Sequence, residues 1–115
     1  MRRIILESPF AGDLVRNAEY LNACIRDALD RGDAPFASHR LYTDALDDSK
    51  PSERALGINA GFAWRAVAEA TVVYLDLGIS RGMQYGIDQA RSLGHPIEER
   101  RLGGEWASRE AESEP

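Results

Sequence analysis

Cysteine is nearly missing from this chain, since Cys24 is the single one among 115 residues. No disulfide can form within the chain, and this composition fits a reducing, cytoplasmic setting. Cys24 falls in an apolar helical stripe with Leu21 and Ile25. The stripe predicts a small buried side chain here rather than a nucleophile.

Long apolar runs and an excess of positive charge are also missing. No segment approaches the roughly 18 apolar residues of a membrane span, and the short apolar patch after Arg2 and Arg3 predicts a strand rather than a signal peptide. The formal net charge is −5, whereas nucleic-acid binding needs a basic surface. We therefore expect neither a membrane nor a nucleic acid as a partner.

Familiar ligand motifs are scarce as well. The chain has no full phosphate-loop signature. His39, Asp47 and Asp48 fall in one polar stretch, but their spacing matches no metal motif. We predict a solvated loop there, with no metal site and no cofactor.

Short apolar runs instead alternate with segments of helical period. The predicted strands are 4–6, 35–37, 72–75 and 96–102, and the predicted helices are 14–31, 51–69 and 82–93. Strands that alternate with helices imply a parallel sheet with right-handed crossovers. We predict a three-layer, Rossmann-like (flavodoxin-like) α/β domain over residues 1–102, with strand order 2-1-3-4. A charged, flexible tail over 103–115 follows, in which Trp106 docks on the body or on another subunit.

Two segments carry predictions about packing. Residues 38–50 are polar, lack clear periodicity and are predicted as a long loop. In the helix 51–69, the apolar face predicted for the core consists of Leu56, Ala60, Ala63, Trp64 and Val67. Four-residue spacing places Gly57 and Gly61 on one face, which suggests close packing against a neighbour. Together with Phe62 and Trp64, these glycines either form a dimer face or belong to the ordinary core.

The most informative stretch runs from 71 to 90, where an apolar strand ends in Asp76 and a Gly/Ser loop leads into a helix. In open α/β sheets, ligands bind outside the carboxyl ends of the strands, at the switch point. Order 2-1-3-4 puts that point between strands one and three, so the loops 8–13 and 76–82 face each other there. The candidate ligand-binding residues, including two from the segment above, are Ser8, Pro9, Phe10, Gly12, Asp13, His39, Tyr42, Asp76, Ser80, Arg81, Gly82 and Met83.

Several of these residues have a structural alternative. Asp76 either contacts a ligand or caps the following helix, and Ser80 either caps that helix or binds a phosphate. Phe10 either stacks on a base or packs under its loop. His39 suits acid–base work, because an ordinary histidine titrates near neutral pH.

Three short motifs together resemble nucleoside 2-deoxyribosyltransferases and the wider SLOG nucleotide-binding superfamily, including small phage and bacterial proteins. They are SPFAG at 8–12, AEATVVYLD at 68–76 and GMQYGIDQA at 82–90. The resemblance implies a nucleotide, nucleoside or nucleotide-derived signal bound at the switch point. It also implies a homodimer or higher homo-oligomer, because members of this group commonly close their pockets with a second subunit.

One position departs from the family pattern. The catalytic glutamate of the transferases falls at Gly86, and glycine can neither attack an anomeric carbon nor stabilise an oxocarbenium ion. If the chain is an enzyme that cleaves or exchanges an N-glycosidic bond, Asp76 or Asp88 would have to carry that role. The sequence thus leaves three functional hypotheses open: a nucleotide-binding protein, an enzyme that acts on an N-glycosidic bond, and an interaction module with a vestigial pocket.

Overall fold

The computed structural model describes residues 1–106, and this part of the chain alternates strands with helices. The strands are β1 (Arg2–Glu7), β2 (Asp33–Phe36), β3 (Ala70–Tyr74) and β4 (Ile97–Arg100). The helices are α1 (Leu14–Asp30), α2 (Ser38–Ala45), α3 (Pro51–Val67) and α4 (Arg81–Ser92).

The strands form a parallel sheet of order β2-β1-β3-β4. This confirms the predicted Rossmann-like α/β fold and its 2-1-3-4 order. Every residue of β3 is buried, as expected for a central parallel strand that is covered on both faces. The switch point lies between β1 and β3, where the chain leaves neighbouring strands for opposite faces of the sheet.

Alternate residues of the strands pack into two separate cores, because side chains along a strand point to opposite faces. The larger core joins Ile4, Leu6 and Val72 to α1 and contains the buried Cys24, as predicted. The smaller one joins Val73 to Met83 and Ile87 of α4. Glu7 is two residues from Ile5 and so shares its face, which points away from α1.

Residues 38–45 form helix α2, where the sequence predicts a loop. No side chain caps α2, so the sequence shows no start signal for a helix there, and none of its residues is fully buried. The helix packs against α3 instead. A Cβ at Gly61 would lie 2.9 Å from Ser38 Oγ, and one at Gly57 would lie 3.2 Å from Leu46 Cδ1. The close packing predicted around these glycines is present, and the neighbour is α2 of the same chain rather than a dimer partner.

The buried face of α3 differs from the predicted one. Leu56, Trp64 and Val67 are 60%, 49% and 52% exposed, whereas Gly61 and Arg65 are buried. The helix turns its small residues and one arginine towards α2 and β1. The side of α3 that carries its large apolar residues, which was predicted to face the core, is therefore largely exposed.

The fold continues past residue 102. Trp106 is buried against Tyr20, with ring centroids 5.0 Å apart in an edge-to-face arrangement. Of the two predicted alternatives for Trp106, docking on the body is the one observed. Within the predicted tail, residues 103–106 thus lead to a side chain packed on the domain, and 107–115 lie outside the described residues. None of the described helices is long and apolar enough to cross a membrane.

Candidate ligand-binding site

A cavity of about 830 Å³ opens at the carboxyl end of β1. Its walls come from the β1–α1 loop, from α2 and α3, and from the first turns of α4. Eight of the predicted ligand-binding residues line it: Ser8, Phe10, His39, Tyr42, Ser80, Arg81, Gly82 and Met83. The structure thus brings the two predicted loops together, with α2 above them.

Ser8 and His39 are joined across the cavity wall, with 2.9 Å between Ser8 Oγ and His39 Nε2. Burial, with a smaller effect from the charge of Arg40, lowers the pKa of His39 to about 4. The imidazole is therefore neutral near pH 7. This corrects the expectation of a histidine that titrates near neutrality, and leaves His39 as a polar partner that fixes the Ser8 hydroxyl.

Ser80 caps α4 from the edge of the cavity. Its Oγ accepts a hydrogen bond from Met83 N at 3.2 Å. The first N–H groups of a helix have no helical partners; Ser80 satisfies that of Met83, and the other N–H groups of the first turn are the kind that bind anions at helix N-termini. Arg81 and Gly82 line the cavity beside them.

Asp76 lies outside the cavity lining and is 1% exposed. Its Oδ1 accepts hydrogen bonds from the Tyr20 hydroxyl at 2.7 Å and from Leu102 N at 2.8 Å, and its Oδ2 accepts one from Gly103 N at 3.0 Å. Burial alone would raise the pKa of Asp76, but these donors hold it below its ordinary value. The carboxylate joins β3 to the chain after β4, so the predicted ligand contact is replaced by a structural role; nor does it cap α4, which Ser80 caps.

Four further candidates also lie outside the lining of the main cavity. Asp13 caps α1 by accepting a hydrogen bond from Arg16 N at 3.1 Å, and Gly12 precedes it with a φ of +100°. Pro9 lines a smaller pocket of about 210 Å³ beside α1. Asp88 is on the outer side of α4, where it accepts a hydrogen bond from Gln84 Nε2 at 2.9 Å.

Glu7 and Arg65 are cavity residues that the sequence did not single out. Their side chains are almost fully buried, with Arg65 Nη2 3.7 Å from Glu7 Oε2. Burial raises the pKa of Glu7 to about 7 against the opposing effect of Arg65. Glu7 carries the same sequence signal as Asp76, an acidic residue directly after an apolar run. The signal for Arg65 is that it is the single charged residue within an apolar helical turn.

Aromatic rings and further charges complete the walls. Phe62 of α3 stacks on Tyr85 of α4 with ring centroids 5.9 Å apart, and Arg54 and Glu53 lie farther along α3. Within residues 1–106, no three His, Cys, Asp or Glu side chains are close enough together to hold a metal ion. The site therefore offers hydroxyl, imidazole, guanidinium and carboxyl groups beside flat apolar surfaces.

The fold has a relative of known structure. A 2-deoxyribosyltransferase from the psychrotolerant bacterium Bacillus psychrosaccharolyticus superposes with a TM-score of 0.68, covering 89% of this chain and 74% of that one. The two sequences are 16% identical, so the likeness concerns the fold. No curated protein sequence matches the chain.

A family model also matches the chain. It is the one described as "Domain of unknown function (DUF7768)", and the match extends over residues 2–100. That span takes in all four strands and all four helices of the described part, including every wall of the cavity. This protein therefore belongs to the DUF7768 family.

Proposed function

We propose that this protein binds a nucleoside or nucleotide in the cavity at the carboxyl end of β1. The observation that carries the proposal is the convergence of Ser8, His39 and the N-terminus of α4 on one cavity at the switch point. Its volume of about 830 Å³ falls within the range of small-molecule sites, and the switch point is where open α/β sheets bind ligands.

The chemistry of the walls supports the same class of ligand. The stacked pair Phe62 and Tyr85 offers a flat surface to a base, and the first turn of α4 with Arg81 suits a phosphate. The likeness in fold to a 2-deoxyribosyltransferase adds support, because that enzyme is described as a biocatalyst for the synthesis of nucleosides. Nucleotide-derived signals, the ligands implied by the resemblance to SLOG proteins, belong to the proposed class.

Native mass spectrometry of the purified protein tests the proposal first, followed by release and identification of any bound small molecule. Calorimetric titration with nucleosides, 5′-mononucleotides and cyclic dinucleotides comes next. We expect saturable binding of at least one of these probes. No heat with any of them, and no co-purified nucleotide, would contradict the proposal and favour an interaction module.

We also propose a homo-oligomer. Leu56, Trp64 and Val67 expose about half or more of their surfaces along α3, and large exposed apolar side chains on one helix are typical of an interface. Sedimentation velocity should give a mass of at least two chains, and Leu56→Glu should lower it. A wild-type monomer at all concentrations would contradict this proposal without affecting the first.

A further inference from the structure

Between residues 55 and 67, the side of α3 that faces solvent carries no charged residue, because Arg65 is buried on the inner side. The exposed residues of this stretch are Ala55, Leu56, Asn59, Ala63, Trp64, Ala66 and Val67. The exposed side of α1, in contrast, carries Glu19, Arg26 and Asp30. Depletion of charge on a surface that is otherwise exposed is typical of the centre of a protein interface.

Four apolar residues follow one another along the middle of this side of α3. We call them the outer stripe: Leu56, Ala60, Ala63 and Val67. Their spacing of four, three and four residues aligns them on a helix, and it is the spacing at which paired helices contact each other. The large residues lie at the two ends and the alanines lie in the middle, so two such helices can approach closely.

The outer stripe is complementary to itself in antiparallel order. When Leu56 lies beside Val67 of a second copy, Ala60 lies beside Ala63 of that copy. A two-fold axis then passes between the alanines, so one surface serves both chains. Antiparallel order also brings the positive N-terminal end of each helix dipole to the negative C-terminal end of the other. This order is therefore favoured over a parallel pair.

Trp64 borders the outer stripe and is already fixed in position within one chain. Its Nε1 donates a hydrogen bond to the Tyr42 hydroxyl at 2.8 Å, and its ring packs on Phe36 with ring centroids 5.1 Å apart. Even so, the side chain is 49% exposed. An ordered tryptophan loses little conformational entropy on association, and tryptophan is enriched among the residues that carry binding energy.

The exposed area of this face is sufficient for a specific pair of chains. Leu56 and Val67 are 60% and 52% exposed, so together with Trp64 they leave about 350 Å² of side chain in solvent. The small residues between them bring the surface to about 600 Å² in each copy, and two copies then bury about 1,200 Å² in total. Specific interfaces begin near this size.

We infer that α3 pairs in antiparallel order with α3 of a second copy, along the outer stripe. The inference rests on the homo-oligomer proposed above, and it specifies the surface, the register and the symmetry. Gly61 and Arg65, which line the cavity, lie on the opposite side of α3. Each chain therefore forms its cavity alone, in contrast to the pocket closed by a second subunit that the resemblance implied.

Sedimentation equilibrium tests the surface. Ala63→Glu places two carboxylates beside the two-fold axis, so we expect the dissociation constant of the dimer to rise about a hundredfold or more. Ala55→Glu is the matched control, because it is the same substitution about a third of a turn away from the outer stripe. It should change the dissociation constant by less than about threefold. Both alanines are exposed in the single chain, and circular dichroism should show an unchanged fold for both variants.

Disulfide trapping tests the register. The two copies of residue 63 meet near the axis, whereas the two copies of residue 56 are about 16 Å apart along the helices. Oxidised Ala63→Cys should therefore run as a covalent dimer, and so should Leu56→Cys/Val67→Cys, but Leu56→Cys alone should not. The wild type is the control, because its Cys24 is buried and should form no crosslink.

The outcomes separate this inference from the proposals on which it rests. A wild-type monomer contradicts both the homo-oligomer and its interface. A dimer that Ala63→Glu leaves intact, or that Leu56→Cys alone crosslinks, overturns the interface and leaves the homo-oligomer in place. Hydrogen exchange of the loops 8–13 and 76–82 should be equal in the wild type and in Ala63→Glu. Slower exchange there in the wild type would show that the partner covers the cavity, and would overturn the separate cavities.

Discussion

Glu7 ends β1 and Asp76 closely follows β3, the neighbouring parallel strand, yet the two carboxyl groups have different surroundings. Asp76 accepts hydrogen bonds from one hydroxyl and two backbone N–H groups, and its pKa is lowered. Glu7 has one distant cation, an oxygen without a hydrogen bond and a raised pKa. A position at the carboxyl edge of a sheet therefore does not decide the surroundings of an acidic side chain, which depend on the hydrogen-bond donors that the fold brings to it.

The amide variants of the two residues should separate them most strongly. Asp76→Asn places an NH₂ group against backbone donors and removes the charge, so we expect it to lower the free energy of unfolding by about 4 kcal/mol at pH 7. Glu7→Gln should instead raise it by up to about 3 kcal/mol, because folding raises the pKa of Glu7 from 4.5 to about 7 and the ionised wild-type carboxyl is therefore destabilising at that pH. Urea unfolding measures both, and equal losses would remove the contrast.

The pH dependence of stability should show a second difference, between Glu7 and His39. The pKa of Glu7 rises from 4.5 to about 7 on folding, so its contribution is lost as the pH rises through that window. The pKa of His39 falls from 6.5 to about 4, so its contribution is lost as the pH falls through that window. Each of these two contributions to the free energy of unfolding amounts to about 3 kcal/mol, and in the wild type they change in opposite directions with pH.

Single variants should reveal these two opposing slopes. As the pH rises from 4.5 to 7, Glu7→Gln should become more stable relative to the wild type. As the pH rises from 4 to 6.5, His39→Gln should become less stable relative to the wild type. Unfolding curves across this range measure both differences, with the other carboxylates common to all three proteins. Curves that remain parallel for all three would show that neither group changes its pKa on folding.

Gly86→Ala tests the crowding around the Glu7 carboxyl. Within a helix, alanine is favoured over glycine by about 1 kcal/mol, but the overlap with Glu7 should turn this into a net loss of about 2 kcal/mol. In a Glu7→Ala background the same change should stabilise the protein. A double-mutant cycle by urea unfolding measures this coupling, and additive effects would show that the carboxyl moves aside freely.

The smallest expected effect is on ligand affinity in the cavity, with the stability of the fold unchanged. A Cβ at Gly82 would meet no atom within 4 Å, so Gly82→Glu should leave the stability unchanged. Its carboxylate should raise the dissociation constant of a 5′-mononucleotide about tenfold, which is near 1.4 kcal/mol. Gly82→Gln is the uncharged control, and calorimetry gives both values. An unaltered affinity would show that phosphate does not approach the first turn of α4.

Pattern and local chemistry predicted the sheet and its order. The run before Asp76 is apolar over its whole length, and helical periods separate the strands, so a parallel sheet follows. Helix α2 was not predicted because tertiary packing on Gly57 and Gly61 stabilises it and no cap marks its start. The buried face of α3 was wrong because the helix buries an arginine and leaves a tryptophan half exposed.

The candidate site was predictable in its location and less so in its chemistry. The rule for open α/β sheets led to the two loops that line the cavity. The role of Asp76 depends on Tyr20, Leu102 and Gly103, which are distant in sequence, and no local pattern shows those contacts. The burial of Glu7 depends in the same way on Arg65 and Gly86.

The shared volume at Glu7 and Gly86 also constrains the order in which such a site can evolve. A side chain at 86 and the Glu7 carboxyl in its present position would overlap, so a glutamate at 7 is strained whenever residue 86 is larger than glycine. A lineage that loses the side chain at 86 before it gains Glu7 avoids that strained intermediate.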